Sequence, residues 1–236
     1  HDMDIVFSIA QEIHVLKYGQ VLASGTADEI RANEEVIDAY LGTDHFLDEA
    51  EQIEALEKVK SKVKIPISVK LSPFYTSPLE MIKKMDKVGV DGFVLFNRLF
   101  HPSFNIEKET GQYPFNLSTS NDHRLALRFV GLLYDNIKGS VCASNGIHTG
   151  EDAVEVLLAG ADVFQAVSTL YRNRIDVIGT ILKDLEAWMD RKGYTKLDDF
   201  RGKLSVEKTP DRWTYRRAQY VKMLLRADEY VTRPSV

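Results

Sequence analysis

Hydrophobic positions change their rhythm near residue 64. Before it they are scattered at helical spacing or alternate over a few residues. In "MDIVFSIAQEI" the residues Ile5, Val6, Ile9 and Ile13 recur at helical spacing and predict a short helix over Met3–Ile13. "IHVLKYGQVLASGT" then reads as a hairpin, Ile13–Lys17 and Gln20–Ser24 around a turn at Tyr18-Gly19. Thr26 is placed as an N-cap with Glu29 at the capping-box position. A second short helical piece, "EEVIDAYLG", ends at Gly42. Asp44–Lys62 is expected to be a helix with Ile53, Leu56 and Val59 on one face.

After residue 64 the apolar runs become short and continuous, and helical patterns separate them. "IPISVKLSP" predicts a strand over Ile65–Leu71. "SPLEMIKKMDKVGV" predicts a helix with Ser77 as N-cap, Pro78 in its first turn and Gly89 at its end. "DGFVLFN" reads as a strand buried on both faces. "RLFHPSFNIEKETGQYPFNLSTS" is a connection too long to be idle, and "NDHRLALRFVGLLYDNI" is an amphipathic helix. Strand "SVCAS", helix "GEDAVEVLLAG", strand "DVFQAV" and the long helix "DVIGTILKDLEAWMDRKG" follow, with a last helix near Asp211–Arg226. Strand and helix alternate about four times, the pattern of βαβ units and a parallel sheet. Chemistry is then expected at the carboxyl ends of the strands.

Composition narrows the function classes. The chain has 236 residues, 44% hydrophobic and 28% charged, as in ordinary globular proteins. A formal net charge of -5 gives no global basic field for nucleic acid or anionic membrane. One cysteine, Cys142, excludes an internal disulfide and favours a reducing, cytoplasmic setting. No apolar run is long enough to span a bilayer, and the N-terminal stretch lacks the basic region of a signal peptide. The chain begins at His1, as a piece of a longer reading frame or a processed product would.

The strand ends carry Lys70, Asn97, Ser144-Asn145-Gly146 and Ser168-Thr169, each polar where its strand is apolar. A lysine inside "SVKLSP" is costly to bury without a partner. A glycine turn after one strand and Ser-Thr after the next is an arrangement that binds phosphate in barrels, helped by the helix N-termini behind it. Any one of these residues alone is equally well explained by turn chemistry. Cys142 reads as a buried small hydrophobe, and His14 as a surface residue. Arg124 and Arg128, with Arg172 and Arg174, could bind an anion, although surface solvation accounts for them more simply. His123 and His148 are too isolated for a metal site, and no residue cluster has metal-ligand spacing. "DRWTYRRAQYVKMLLRADEYVTR" mixes basic and aromatic residues, yet it is read as a helix and not as a nucleic-acid surface.

Two resemblances arise from these residues. "IPISVKLSPF", "GVDGFVLFNR", "NLSTSNDHRLALR", "CASNGIHTGEDAVEVLLAGADVFQAVSTLYR" and "LEAWMDRKGYTKLDDFRGKLS", over Glu49 to Leu225, resemble the second half of dihydroorotate dehydrogenase-like proteins, which are FMN-binding (β/α)8 barrels. The resemblance implies that Lys70 contacts the flavin, that Asn97 faces a small carboxylate substrate, and that Asn145, Gly146, Ser168 and Thr169 surround the FMN phosphate. The family more often has Thr-Gly at Ser144-Asn145 and Gly at Ser168. The first barrel half, which holds the rest of the flavin site and the catalytic Cys or Ser base, has no counterpart here, so no catalytic residue is assigned. "HDMDIVFSIAQEIHVLKYGQVLASGTADEIRANEEVIDAYLG" resembles the last part of ATP-binding cassette ATPases of the branched-chain amino-acid import type. His1 falls at the switch histidine of that family, but the nucleotide-binding motifs that should precede it are missing, so His1 is read as vestigial.

The expected organisation is therefore an ATP-binding-cassette fragment over 1–43 and a dihydroorotate dehydrogenase-like half barrel over 44–236. Three functions compete: an FMN-dependent oxidoreductase inactive on its own, a non-catalytic phosphate- or flavin-binding and self-associating module, and an ATPase fragment. Four strands leave two open sheet edges, so a homo-oligomer is expected.

Overall fold

The computed structural model describes residues 10–17, 20–36, 49–98, 102–112, 116–211, 213–216 and 218–226. It divides into two compact units, His1–Ile65 and Pro66–Val236.

In the first unit, β1 (Ile13–Lys17) and β2 (Gln20–Gly25) pair antiparallel as a sheet of their own, with a register shift between Val15 and Leu16. Ile13 and Val15 turn inward while His14 stays exposed between them, its Nδ1 2.7 Å from Ser24 Oγ on the facing strand. That alternation is what a sheet with one wet face demands. Helix α1 (Ala27–Ala32) starts at Thr26, whose capping box with Glu29 is fully formed. It adds Ile30 to a core of Ile13, Val15 and Val36. Residues 34–36 make one further helical turn. Helix α2 (Glu49–Lys62) buries Leu56, as its spacing requires. The helix expected over Met3–Ile13 lies outside the described residues except at its end, where Ile13 instead opens β1. The turn at Tyr18-Gly19 and residues 37–48 also lie outside the described residues.

The second unit is built on a four-stranded parallel sheet in the order β3 (Ser68–Leu71), β4 (Gly92–Leu95), β7 (Ser140–Ser144), β8 (Val163–Gln165). Lys70, Val94, Cys142 and Val163 stand in register across it. The other face carries Leu71, Phe93, Leu95, Val141 and Ala143, all buried. Helices α3 (Pro78–Val88), α4 (His123–Leu133) and α5 (Gly150–Ala159) supply the matching apolar sides through Met81, Ile82, Val130, Leu133, Val156 and Leu157. Helix α3 stops at Gly89, which takes φ 98°, a left-handed conformation that favours glycine. After β8 come α6 (Val167–Arg172), α7 (Val177–Lys192) and α8 (Ala218–Leu224). Leu185 of α7, with Trp188, Tyr194 and Phe200, closes a second core against Val154 and Leu157. This is a mixed α/β fold with four parallel βα units, consistent with a partial TIM barrel.

Four expectations need correction. Strand β3 begins at Ser68, not Ile65, because the backbone of Ile67 is already engaged by Asp91 at the head of β4 and Ile65 is exposed. The long connection contains a second antiparallel hairpin, β5 (Ser103–Asn105) and β6 (Thr110–Gln112), whose turn is held by Asn105 Oδ1 accepting from the N–H groups of Glu107 and Lys108. Strand β8 ends at Gln165, and helix begins at Val167, so Ser168 and Thr169 sit inside α6 and not in a turn before it. The last helix is shorter than Asp211–Arg226: residues 213–216 form turns and α8 starts at Ala218.

Candidate functional site

The strand register brings the first group together. Lys70 lies on edge strand β3 and Gln165 on the opposite edge strand β8, yet Lys70 Nζ is 3.3 Å from Gln165 Oε1. Three strand spacings in a flat sheet would separate these backbones by about 14 Å. The contact therefore requires a strongly curled sheet, with Lys70 on the concave side. Ser144 Oγ donates to the same Gln165 oxygen at 3.3 Å. Burial holds the Lys70 ammonium below its usual range, opposed by the neighbouring Cys142. Burial also pushes the Cys142 thiol up to about 11, with Lys70 pulling the other way. Cys142 is thus a buried thiol with no acid–base role near neutral pH, as its place in an apolar strand suggested.

The second group lies where β3, β4 and β7 end. Asn97 N–H donates to Leu71 O at 2.6 Å, which tucks the end of β4 against β3. Asn145 takes φ 76° and sends its side-chain amide back to Phe96 O at 2.8 Å. Between them opens a cleft of about 460 Å³, lined by Asn97, Asn145 and Ser144 together with Phe74, Arg98 and Asp122. That size suits a small molecule.

The third group joins the two turns singled out in the sequence. Gly146 has φ 73°, and a Cβ there would stand 2.3 Å from His123 N, so only glycine fits. Its N–H donates to Ser118 Oγ at 3.1 Å, and Ser118 N–H donates to Ser168 Oγ at 3.0 Å. The Thr169 hydroxyl donates to Ile147 O. Gly146, Ser168 and Thr169 are therefore gathered at the carboxyl ends of adjacent parallel strands, with Ser118 as the bridge. Ser118 is 2% exposed and belongs to the long connection, so nothing local in the sequence marks it.

Asp152 and His123 pack behind this knot. Asp152 is buried at the N-terminus of α5, where its carboxylate accepts from His148 N, Thr149 N and the Ser120 hydroxyl. Thr149 completes a capping box with it, and T-x-x-D is a pattern that the sequence displays. His123 is buried with Nε2 2.5 Å from Glu155 and Nδ1 against the Ser120 carbonyl. Among the described residues, no group of three His, Cys, Asp or Glu is placed to hold a metal ion. Arg128 donates to Tyr215 O at 2.9 Å, and Arg174 forms an exposed pair with Asp176, so both serve local contacts. No helix among the described residues is long and apolar enough to cross a membrane.

Comparison with known proteins decides the kinship. Residues 41–189 match the family model of dihydroorotate dehydrogenase. The chain belongs to that family. It is 30% identical over 178 residues to the dihydroorotate dehydrogenase (fumarate) of Saccharomyces cerevisiae, covering 64% of this chain and 52% of that protein. It is 30% identical over 155 residues to the catalytic subunit of dihydroorotate dehydrogenase B (NAD(+)) from Shouchella clausii, covering 63% and 50% respectively. The corresponding subunit from Methanocaldococcus jannaschii is 29% identical over 140 residues. The chain thus spans about half the length of the curated relatives it matches. Residues 20–45, which include β2 and α1, match a different family model, that of the branched-chain amino acid ATP-binding cassette transporter. Membership of the dihydroorotate dehydrogenase family implies a flavin cofactor, FMN.

The donor set around Gly146 has the chemistry to hold the phosphate end of such a cofactor. It offers the N–H of Gly146 and the hydroxyls of Ser118 and Ser168, and the Asp152 and Asp122 carboxylates nearby are occupied by other donors. The N–H of Gly146 now meets a neutral hydroxyl, a weaker partner than an anion.

Proposed function

We propose that this chain is the flavin-side half of an FMN-dependent oxidoreductase of the dihydroorotate dehydrogenase type. The observation that carries this reading is the convergence of Gly146, Ser118, Ser168 and Thr169 at the carboxyl ends of β7 and β8. Gly146, Asn145, Ser168 and Thr169 would hold the FMN phosphate, Lys70 would face the flavin from the concave side of the sheet, and Asn97 would face a small carboxylate. FMN, when bound, supplies the two-electron acceptor; the chain binds, orients and excludes water. A division into 1–43 and 44–236 fits the two family matches, which meet at residues 41–45.

A complete barrel of this kind needs eight parallel strands. The described residues supply four, and β3 and β8 leave both edges of the sheet open. On the concave face Val94 and Cys142 are buried, while Val163 on β8 is 56% exposed. The open edges favour self-association, or a further length of barrel, before the site is complete. No residue of the chain is assigned as general base, and a second copy would bring none; such a base is worth about 10²–10⁴-fold in rate. We therefore expect no dihydroorotate oxidation by this chain alone above that of a Lys70→Ala control.

The second reading, a binding module without catalysis, is favoured by the way Ser118 already satisfies Gly146 and reaches Ser168. One experiment tests the flavin site on which the first reading rests. The chain is incubated with FMN and passed over a sizing column with its visible absorbance recorded. Flavin eluting with a species of twice the chain mass supports the first reading. Protein that elutes colourless, with flavin fluorescence unchanged at excess protein, overturns it. The ATPase reading has no such support, since the match to that family stops short of any nucleotide-binding motif.

A further inference from the structure

The cleft at the ends of β3, β4 and β7 contains a charged pair that no family resemblance assigned. Arg98 follows Asn97 directly and reaches sideways. Its Nε donates to Asn116 O at 2.9 Å and its Nη2 to Asn116 Oδ1 at 3.0 Å. Its Nη1 lies 3.2 Å from Asp122 Oδ2, and both side chains are only partly exposed, at 25% and 34%. A guanidinium carries five N–H donors. Three are engaged here, so two remain without an acceptor among the described residues. The group is therefore held at a fixed angle with donors to spare, the state that recognises a planar carboxylate best.

Asp122 is fixed just as firmly. Its Oδ2 accepts from Thr119 N at 2.6 Å and from the Thr119 hydroxyl at 3.1 Å. Burial tends to raise its carboxyl, but these hydrogen bonds and Arg98 outweigh that and hold it below the usual range. It is therefore an anion at neutral pH, permanently beside the cation. The walls are mixed: Phe74, Leu125 and Ala126 line the cleft beside Asn97, Asn121 and Asn145, and the buried Phe96 beneath is pinned edge-on to Phe129 at 5.1 Å.

We propose that Arg98 is the anchor for a small planar carboxylate in this cleft, and that Asp122 sets how tightly the anchor holds it. The inference rests on the reading of the cleft as the substrate side of the site. Phe74, whose ring is exposed at the cleft, takes one flat face of the ligand. Arg98 offers its spare N–H donors to the ligand carboxylate, in competition with Asp122. Asp122 orients Arg98 and at the same time weakens its attraction for a second anion. Affinity should therefore rise when the Asp122 charge is removed without changing its shape, which is the reverse of what a merely structural ion pair would show.

The test uses the full chain without flavin, titrated with benzoate and with its neutral isostere benzamide at constant ionic strength. Binding is followed by calorimetry and by the NMR signal of the Arg98 Nε–H. Wild type should prefer benzoate. Asp122→Asn should tighten benzoate by about tenfold, the scale of one screened charge at this range, and leave benzamide unchanged. Arg98→Ala should abolish the preference. If Arg98→Ala does not fold, the sign of the Asp122→Asn effect decides alone. Equal binding of the two probes, no binding of either, or benzoate affinity that is unchanged or weakened in Asp122→Asn would overturn the proposal. Flavin retention is read separately on the same protein. A benzoate preference without flavin binding sinks the oxidoreductase reading only; flavin binding without the preference sinks only this one.

Discussion

A capping box starts α1 in the first unit and α5 in the second, and its surroundings give it different weight. In the first unit, Thr26 and Glu29 cap α1 at the surface, with Thr26 N–H 2.8 Å from Glu29 Oε2 and, among the described residues, no third side chain in the motif. In the second, Thr149 and Asp152 cap α5 with identical logic, but Asp152 is buried and also receives His148 and Ser120. One box is a helix start. The other is a joint between α5, the loop that leads from Gly146, and the segment that carries Ser118. Sequence shows the box; only the fold shows how many neighbours lean on it.

The largest effect is therefore expected at Asp152. Asp152→Ala would leave two part-buried backbone N–H groups, those of His148 and Thr149, without their acceptor and remove the carboxylate 3.6 Å from the buried His123. Leaving such donors unsatisfied costs about 1–3 kcal/mol. Denaturant unfolding of the second unit should register it, and Asp152→Asn should recover part. Glu29→Ala at the matching place in the first unit should leave the unfolding midpoint nearly unchanged. Comparable losses from both would mean that burial is not what separates the two boxes.

What could be read in advance follows the same division. The Thr26 cap, the Gly89 stop, the parallel order of "SVKL", "GFVL", "SVCAS" and "VFQ" and the meeting of Gly146 with Ser168-Thr169 rest on short patterns or on the regular winding of βα units. Arg98, Ser118, Asp122 and Asp152 were not singled out, because each gains its place from a partner elsewhere in the chain. Ser118 meets residues 28 and 50 positions away. Arg98 is fixed by Asn116, 18 positions on. The hairpin β5–β6 was missed for another reason: strands of three residues are too short to show alternation. The reading of Ser168 as turn failed because "VFQAV" is as good a strand as a helix entry, and the choice was made by where the strand lost its neighbour.

A second contrast concerns titration. The first unit holds His14 on the surface; the second holds its thiol, Cys142, inside the sheet beside Lys70. Since the thiol is moved from 9.0 to about 11 by burial, its neutral form is the one that the fold prefers. That preference is fully present below pH 9.0 and is lost as pH rises through about 11. Alkylation of Cys142 in the folded chain should therefore follow a midpoint near 11. At pH 8 it should run roughly a hundredfold slower than in urea, the ratio that a shift of about two units sets. Lys70→Ala removes the cation that opposes the shift and should move the midpoint higher still. A folded-state midpoint near 9 would show that water reaches the concave face.

The smallest effect is expected at Thr26. Thr26→Ala deletes the hydroxyl that accepts from Glu29 N and donates to Glu29 Oε2, but the Thr26 N–H can keep its 2.8 Å bond to the same carboxylate. A cap of this type is worth about 0.5–2 kcal/mol, and the long 3.5 Å approach of Glu29 N to the hydroxyl places it at the low end. The helix it starts has six residues, too few to persist without packing, so Ile30 and the core with Ile13, Val15 and Val36 must carry most of its stability. The amide exchange rates of α1 should rise a few-fold, while those of α5 stay as they were. Thr149→Ala, read the same way, should loosen α5 and also the N–H of Gly146, because the loop between them shares the Asp152 carboxylate. If Thr26→Ala disturbed exchange in α5 as strongly as in α1, the two units would not be separate in stability, and the contrast between their caps would have to be explained by coupling instead of burial.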